Sequence, residues 1–145
     1  MITLETYLMG REKQYRDEYT DQIMEKAHIT VARCNELLER AGRSDIDKVV
    51  SGWRPQAVNK ATRNAAPSSR HITAEACDLP DADRTLAGWV ADNLDVLEEV
   101  GLWAEDFRWT PTWVHLQTVA PKSGRRVFIP SVQPPLDPSF PVTWA

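Results

Sequence analysis

Three side chains of metal-binding type, His71, Asp78 and His115, constrain this chain more than any other feature, because they can meet only if distant segments converge. They lie in SSRHITAEACD, Ser68 to Asp78, and in TWVHLQ, Thr112 to Gln117, and the only other histidine is His28. Alternate residues of a strand share a face. Ala76 and Asp78 therefore point one way and Cys77 the other, while Trp113, His115 and Gln117 share a face and Val114 and Leu116 turn to the core. Adjacent antiparallel strands bring Asp78 and His115 within reach of one ion, and His71 arrives from the preceding loop. Two imidazoles and one carboxylate leave a tetrahedral zinc one open position, for a water and an approaching carbonyl, which is the layout of a hydrolase site.

The 145 residues, 42% of them hydrophobic, suffice for one domain with one core. A formal charge of -4, with the basic residues scattered along the chain, argues against nucleic-acid binding, which needs clustered Lys and Arg. No segment approaches the roughly 20 apolar residues of a membrane span, and MITLETYLMGREKQYRDEY lacks the pattern of a secretory signal. The expectation is a monomer without membrane insertion, cytoplasmic on synthesis. Cys34 and Cys77 have no zinc-type spacing and read as buried free thiols. Cys77 can join the site only by displacing Asp78.

Apolar residues at helical spacing from Asp21 to Ala41 predict a long helix, capped by Thr20 or Asp21 and closed by Gly42. TLETYLMG predicts a helical turn or two, and GREKQYRDEY reads as solvated surface. A second core-facing helix is predicted from Asp83 or Arg84 to Val100, stopped by Gly101. Lys48 to Trp53 (KVVSGW) suits a strand, and QAVNKATRNAA after Pro55 holds a short helix. EACDL, GLWAEDFRW, TWVHLQTVA and RRVFIP read as strands, the last two forming an antiparallel hairpin. The proline-rich residues 130–145 are expected to lie extended on the surface.

In order and spacing, SGWRP, SSRHITAEACD and WVH resemble the zinc D-Ala-D-Ala carboxypeptidase family, whose relatives include phage peptidoglycan endopeptidases and the hedgehog signalling domain. The family pattern is SGYR, then S-x-H-x-x-G-x-A-x-D, then a WxH strand. Ser69, His71, Ala76 and Asp78 match it, while Ala74 stands where the family usually has Gly. The motifs span residues 50 to 118, and the likeness is closest to short single-domain members from phages. It implies an α+β domain, with helices packed on a small, mostly antiparallel sheet that carries a zinc site. It also implies hydrolysis of peptidoglycan stem peptides by an endolysin-type enzyme that reaches the cell wall after release.

By the same resemblance His71, Asp78 and His115 are the zinc ligands, Arg54 holds a substrate carboxylate, and Ser69 orients the loop or the substrate. A planar guanidinium suits that task, because it grips a carboxylate through two parallel hydrogen bonds. The general base is not at either position usual in relatives, where this chain has Thr112 and Gln117. Glu105 and Asp106 are the nearby carboxylates. Only one of them can face the site from a strand, and Glu105 is preferred because the phage-type relatives carry a Glu at that strand end. Trp53 and Trp113 flank the motifs and are candidates either for the groove or for the core. The rival reading is a non-catalytic, zinc-containing module of the same fold that binds peptidoglycan or protein. An iron oxygenase with a 2-His-1-carboxylate triad fits less well, since such sites place His-x-Asp or His-x-Glu on one strand.

Overall fold

The longest element forms where a cap and an apolar stripe coincide. In the computed structural model, which describes residues 1–131 and residue 140, helix α3 runs Asp21–Arg40. The Thr20 hydroxyl caps it, accepting the Ile23 N–H at 3.2 Å. It buries Ala27, Thr30, Cys34, Leu37 and Leu38, whereas Met24 is exposed. Before it come α1 (Leu4–Leu8), capped by the Thr3 hydroxyl, and α2 (Arg11–Gln14). Tyr7 of α1 reaches through the core, and its hydroxyl donates to the Ala76 carbonyl at 2.7 Å.

The second long helix is divided. α5 (Thr85–Asp92) and α6 (Leu94–Val100) meet at Asn93, whose φ of -131° is not helical and whose amide donates to the Trp89 carbonyl at 2.7 Å. The physical reason is local competition: a short amide that bonds back to the preceding turn replaces the helical ladder there. The Asp81 carboxylate accepts the N–H groups of Leu86 and Ala87, both at 2.9 Å, and so satisfies the start of α5. The expected helix after Pro55 is α4 (Gln56–Ala61).

The sheet is mixed, with order β1-β3-β2-β4, where β1 is Ala76–Pro80, β2 Trp103–Glu105, β3 Trp113–Gln117 and β4 Val127–Phe128. β3 pairs antiparallel with both β1 and β2, and β4 joins β2 in parallel. The expected TWVHLQ–RRVFIP hairpin is therefore not formed, because both edges of β3 are already taken and the last strand must use the free edge of β2. GLWAEDFRW is a strand only to Glu105. The Asp106 carboxylate then caps a single 3₁₀ turn, Phe107–Trp109. KVVSGW is not a strand either, and meets the sheet only through a Ser51–Asp78 bridge. Its departure is forced at Gly52, which packs so closely on α1 that an added Cβ would stand 1.9 Å from the Tyr7 carbonyl oxygen.

One sheet face, with Cys77, Leu79, Ala104, Val114 and Leu116, joins α1, α3, α5 and α6 in a single core. The opposite face of β1 and β3 carries Asp78 and His115. The proline-rich tail expected over 130–145 falls almost wholly outside the described residues. Its described residue Phe140 is buried, its ring 5.8 Å from that of Phe107.

Gly52→Ala is expected to lower unfolding stability in urea by about 2–4 kcal/mol, because the obstacle is backbone and cannot rotate away. Gly88→Ala, within α5 and with nothing within 4 Å of its added Cβ, is the matched control. It should raise stability by about 0.5–1 kcal/mol through helix propensity.

Candidate metal centre

The register of β1 and β3 sets Asp78 directly opposite His115. The third side chain comes from the turn before β1. There the Ser69 hydroxyl accepts the His71 N–H at 3.2 Å, and the Arg54 N–H donates to the His71 carbonyl at 3.0 Å. One candidate ligand atom from each of His71, Asp78 and His115 lies within 4.8 Å of the others. The group can hold a metal ion.

Hydrogen bonding identifies which nitrogen each imidazole offers. His71 Nδ1 lies 2.7 Å from the Gly52 carbonyl oxygen, which can only accept, so Nδ1 carries the hydrogen. Burial lowers the His71 pKa, so the ring is neutral and Nε2 presents a lone pair. That buried atom has no hydrogen-bond partner and stands 3.2 Å from Asp78 Oδ2, so it is available to ligate an ion shared with the carboxylate.

His115 is held in mirror fashion. Gln117 donates its amide to the Val119 carbonyl at 2.7 Å, which turns its Oε1 to His115 Nε2 at 3.0 Å. Nε2 therefore bears hydrogen, and Nδ1 faces Asp78 Oδ1 at 2.8 Å. A ring nitrogen fixed by a carbonyl or an amide oxygen, with the other left for the ion, is the usual arrangement around metal-bound histidines. The residues present thus fit a divalent cation through His71 Nε2, an Asp78 oxygen and His115 Nδ1.

The electrostatics agree. Burial pushes the Asp78 carboxyl upward, but the two histidines more than offset it and hold it well below the usual carboxylate range. Burial likewise opposes charge on His115, yet the hydrogen bond and charge of Asp78 raise it from 6.5 to about 9. Without metal, His115 is the cation that balances Asp78, and metal binding displaces its proton.

The triad opens on a cleft of about 480 Å³. Glu105 lines it, and burial raises its pKa. Asp106 does not line it. Its Oδ1 accepts the N–H and Nε–H of Arg108, and its Oδ2 accepts Nη2 at 2.7 Å, so this carboxylate is committed to the 3₁₀ turn. Arg54 lines the cleft with Nε donating to the Ser51 hydroxyl at 2.9 Å and Nη1 to the Asn59 amide oxygen at 3.1 Å. Its Nη2 stands 3.6 Å from Asp78 Oδ2. Ser69 lines the cleft too.

Of the two flanking tryptophans, Trp113 lines the cleft. Trp53 is a core residue, its Nε1 donating to the Ile72 carbonyl at 3.0 Å. Three parts of the site were not assigned from the sequence: Arg11 on the cleft wall, Asn59 behind Arg54, and Gln117 as the partner of His115. Of these, Gln117 had a signal in the sequence, its place on the same strand face as His115.

No family model, curated protein or solved structure matches this chain.

Titration with Zn²⁺ is expected to load one ion per chain, and His71→Ala or Asp78→Ala should abolish stoichiometric loading by elemental analysis. Retention of full zinc by His71→Ala would falsify the ligand assignment. Gln117→Leu should weaken zinc binding by about 10–100-fold, since it frees the ring it orients. In chelator-treated protein the stabilisation from His115 should be complete below pH 6.5 and lost as the pH rises through about 9. The check is the unfolding free energy of wild type minus that of His115→Gln, which should shrink between those limits.

Proposed function

We propose that this chain is a zinc-dependent peptidase that hydrolyses stem peptides of bacterial peptidoglycan, an endolysin-type enzyme built like the zinc D-Ala-D-Ala carboxypeptidases. The observation that carries this reading is a three-ligand centre lining an open cleft that also presents Glu105 and Arg54. A zinc kept for structure is normally closed off by four protein ligands, whereas three leave a position for chemistry. When bound, zinc supplies a Lewis acid for the scissile carbonyl and lowers the pKa of a water.

Glu105 takes the proton from the attacking water and passes it to the leaving amine. Burial raises its pKa above the usual value for Glu, toward the range in which one carboxyl can both accept and release a proton. Asp106, fully paired with Arg108, does not serve. Arg54 orients a substrate carboxylate: Ser51 and Asn59 fix the plane of its guanidinium, so little freedom is lost on binding. Ser69 acts through the loop, holding the His71 backbone. Among the described residues no helix is long and apolar enough to cross a membrane.

A second reading, a non-catalytic zinc-containing module that binds peptidoglycan or protein, is favoured by Thr112 and Gln117, which replace the acids that relatives carry there. Digestion of purified peptidoglycan separates the two. Zinc-loaded protein should release fragments with new amino termini, identified by mass spectrometry. Glu105→Gln should slow release by about 10²–10⁴-fold with zinc content unchanged. The acid limb of kcat/KM should lie above pH 4.5, because Glu105 must be deprotonated to act and its pKa is raised from that value. Zinc-loaded protein that binds peptidoglycan and releases nothing is the result that establishes the module instead.

A further inference from the structure

The cleft contains a cation that the peptidase reading leaves without a task. Arg11, the first residue of α2, is half-buried and lines the same cleft as the triad. Its Nη1 donates to the Trp53 carbonyl at 2.7 Å, which ties the guanidinium to the residue preceding Arg54. Among the described residues no carboxylate forms an ion pair with Arg11. Burial disfavours the charge on Arg11, and the nearby Arg54 guanidinium disfavours it further. Arg63 and Arg70 line the cleft nearby, Arg70 with Glu75 at 3.8 Å. The acids lining the cleft are Asp78, committed to the two histidines and Arg54, and Glu105.

Two guanidiniums that line one cleft, Arg11 anchored on the Trp53 carbonyl and Arg54 on Ser51 and Asn59 with Asp78 3.6 Å from Arg54, are stable together when an anion joins them. We infer that Arg11 and Arg54 form one anion subsite that takes two carboxylates of the same peptide, Arg54 the first and Arg11 the second. The second carboxylate is a recognition element, so amidating it weakens binding. This rests on the peptide-substrate reading above and adds to it the charge that the substrate must carry. Arg11 touches substrate without taking part in proton transfer, and its effect falls on binding and not on turnover.

The test is equilibrium binding by calorimetry, with zinc-loaded protein in a Glu105→Gln background so that hydrolysis does not intrude. The probes are acetyl-L-Ala-γ-D-Glu-Gly, which carries two carboxylates, and the same peptide with the glutamyl α-carboxylate amidated. The diacid is expected to bind about tenfold tighter or more, since a hydrogen-bonded charge is lost with the amide. Arg11→Gln should erase that difference, Arg11→Lys should keep part of it, and rising salt should shrink it in the parent protein. Thermal unfolding of each variant checks that the Trp53 anchor is not needed for folding, and Arg11→Lys keeps the test decisive if Arg11→Gln unfolds. The inference is overturned if the diacid has no advantage, if neither probe binds, or if the advantage survives removal of the guanidinium. Selective diacid binding by a protein that releases no peptidoglycan fragments would uphold the subsite while the peptidase reading fails.

Discussion

The Asp78 carboxylate is a buried anion, and the arrangement around it follows from the need to hold that charge. Its oxygens stand 2.8 Å from His115 Nδ1, 3.2 Å from His71 Nε2 and 3.6 Å from Arg54 Nη2. Its backbone donates to the Ser51 carbonyl at 2.8 Å, which binds the SGWRP segment to the edge of the sheet. An unpaired carboxylate at this depth is costly by several kcal/mol, so each partner is more consequential for what its loss would strand than for its own attraction. One side chain thus brings together β1, β3, the His71 turn and the Arg54 segment. These are the parts that line the cleft around a candidate metal ion.

The site is also fastened to the core from behind. Gly52 offers its carbonyl to His71 Nδ1 while its α-carbon lies against the Tyr7 backbone, and the Tyr7 hydroxyl holds the Ala76 carbonyl at the start of β1. Helix α1 therefore braces both the loop ligand and the strand that carries Asp78. On the other side Gln117 links the His115 ring to the Val119 carbonyl. Each histidine is oriented by an oxygen on an element other than its ion-facing neighbour, so the ligand atoms are set before any ion arrives.

The meeting of Asp78 and His115 was legible because period-two patterning sorts each strand into a core face and a site face, and the choice is independent of neighbouring strands. α3 was legible because the cap, the stripe and the stop agree. What escaped depends on tertiary competition. The run from Thr85 to Val100 keeps helical spacing across Asn93, so periodicity alone does not show the break that the Asn93 side chain makes. The order β3-β2-β4 escaped because neighbouring strands in sequence usually pair, and here β2 already occupies the edge of β3. Arg11 sits in a charged segment that reads as solvated, and a long-range bond to the Trp53 carbonyl holds it at the cleft. Asp106 and Glu105 are adjacent acids in sequence, and what separates them is the turn to 3₁₀ geometry that claims the first for Arg108.

Ala74 shows how a left-handed position beside the site can be held without glycine. The position has φ of +60°, the left-handed region in which glycine is favoured, and alanine there is strained by about 1–2 kcal/mol. Against this, its methyl is fully buried in the core, worth about 0.8 kcal/mol, and alanine loses about 0.5–1 kcal/mol less backbone freedom on folding than glycine. The two sides nearly cancel. The turn itself is kept by backbone bonds that any residue can make: the Ala74 N–H to the His71 carbonyl at 3.3 Å, and the Ala74 carbonyl receiving the Thr30 hydroxyl at 2.7 Å. The second of these anchors the turn to the core-facing side of α3, so the segment that delivers His71 is held by that helix. Position 74 is then a requirement on backbone shape, which this chain meets with an alanine because the surrounding core recovers most of the strain.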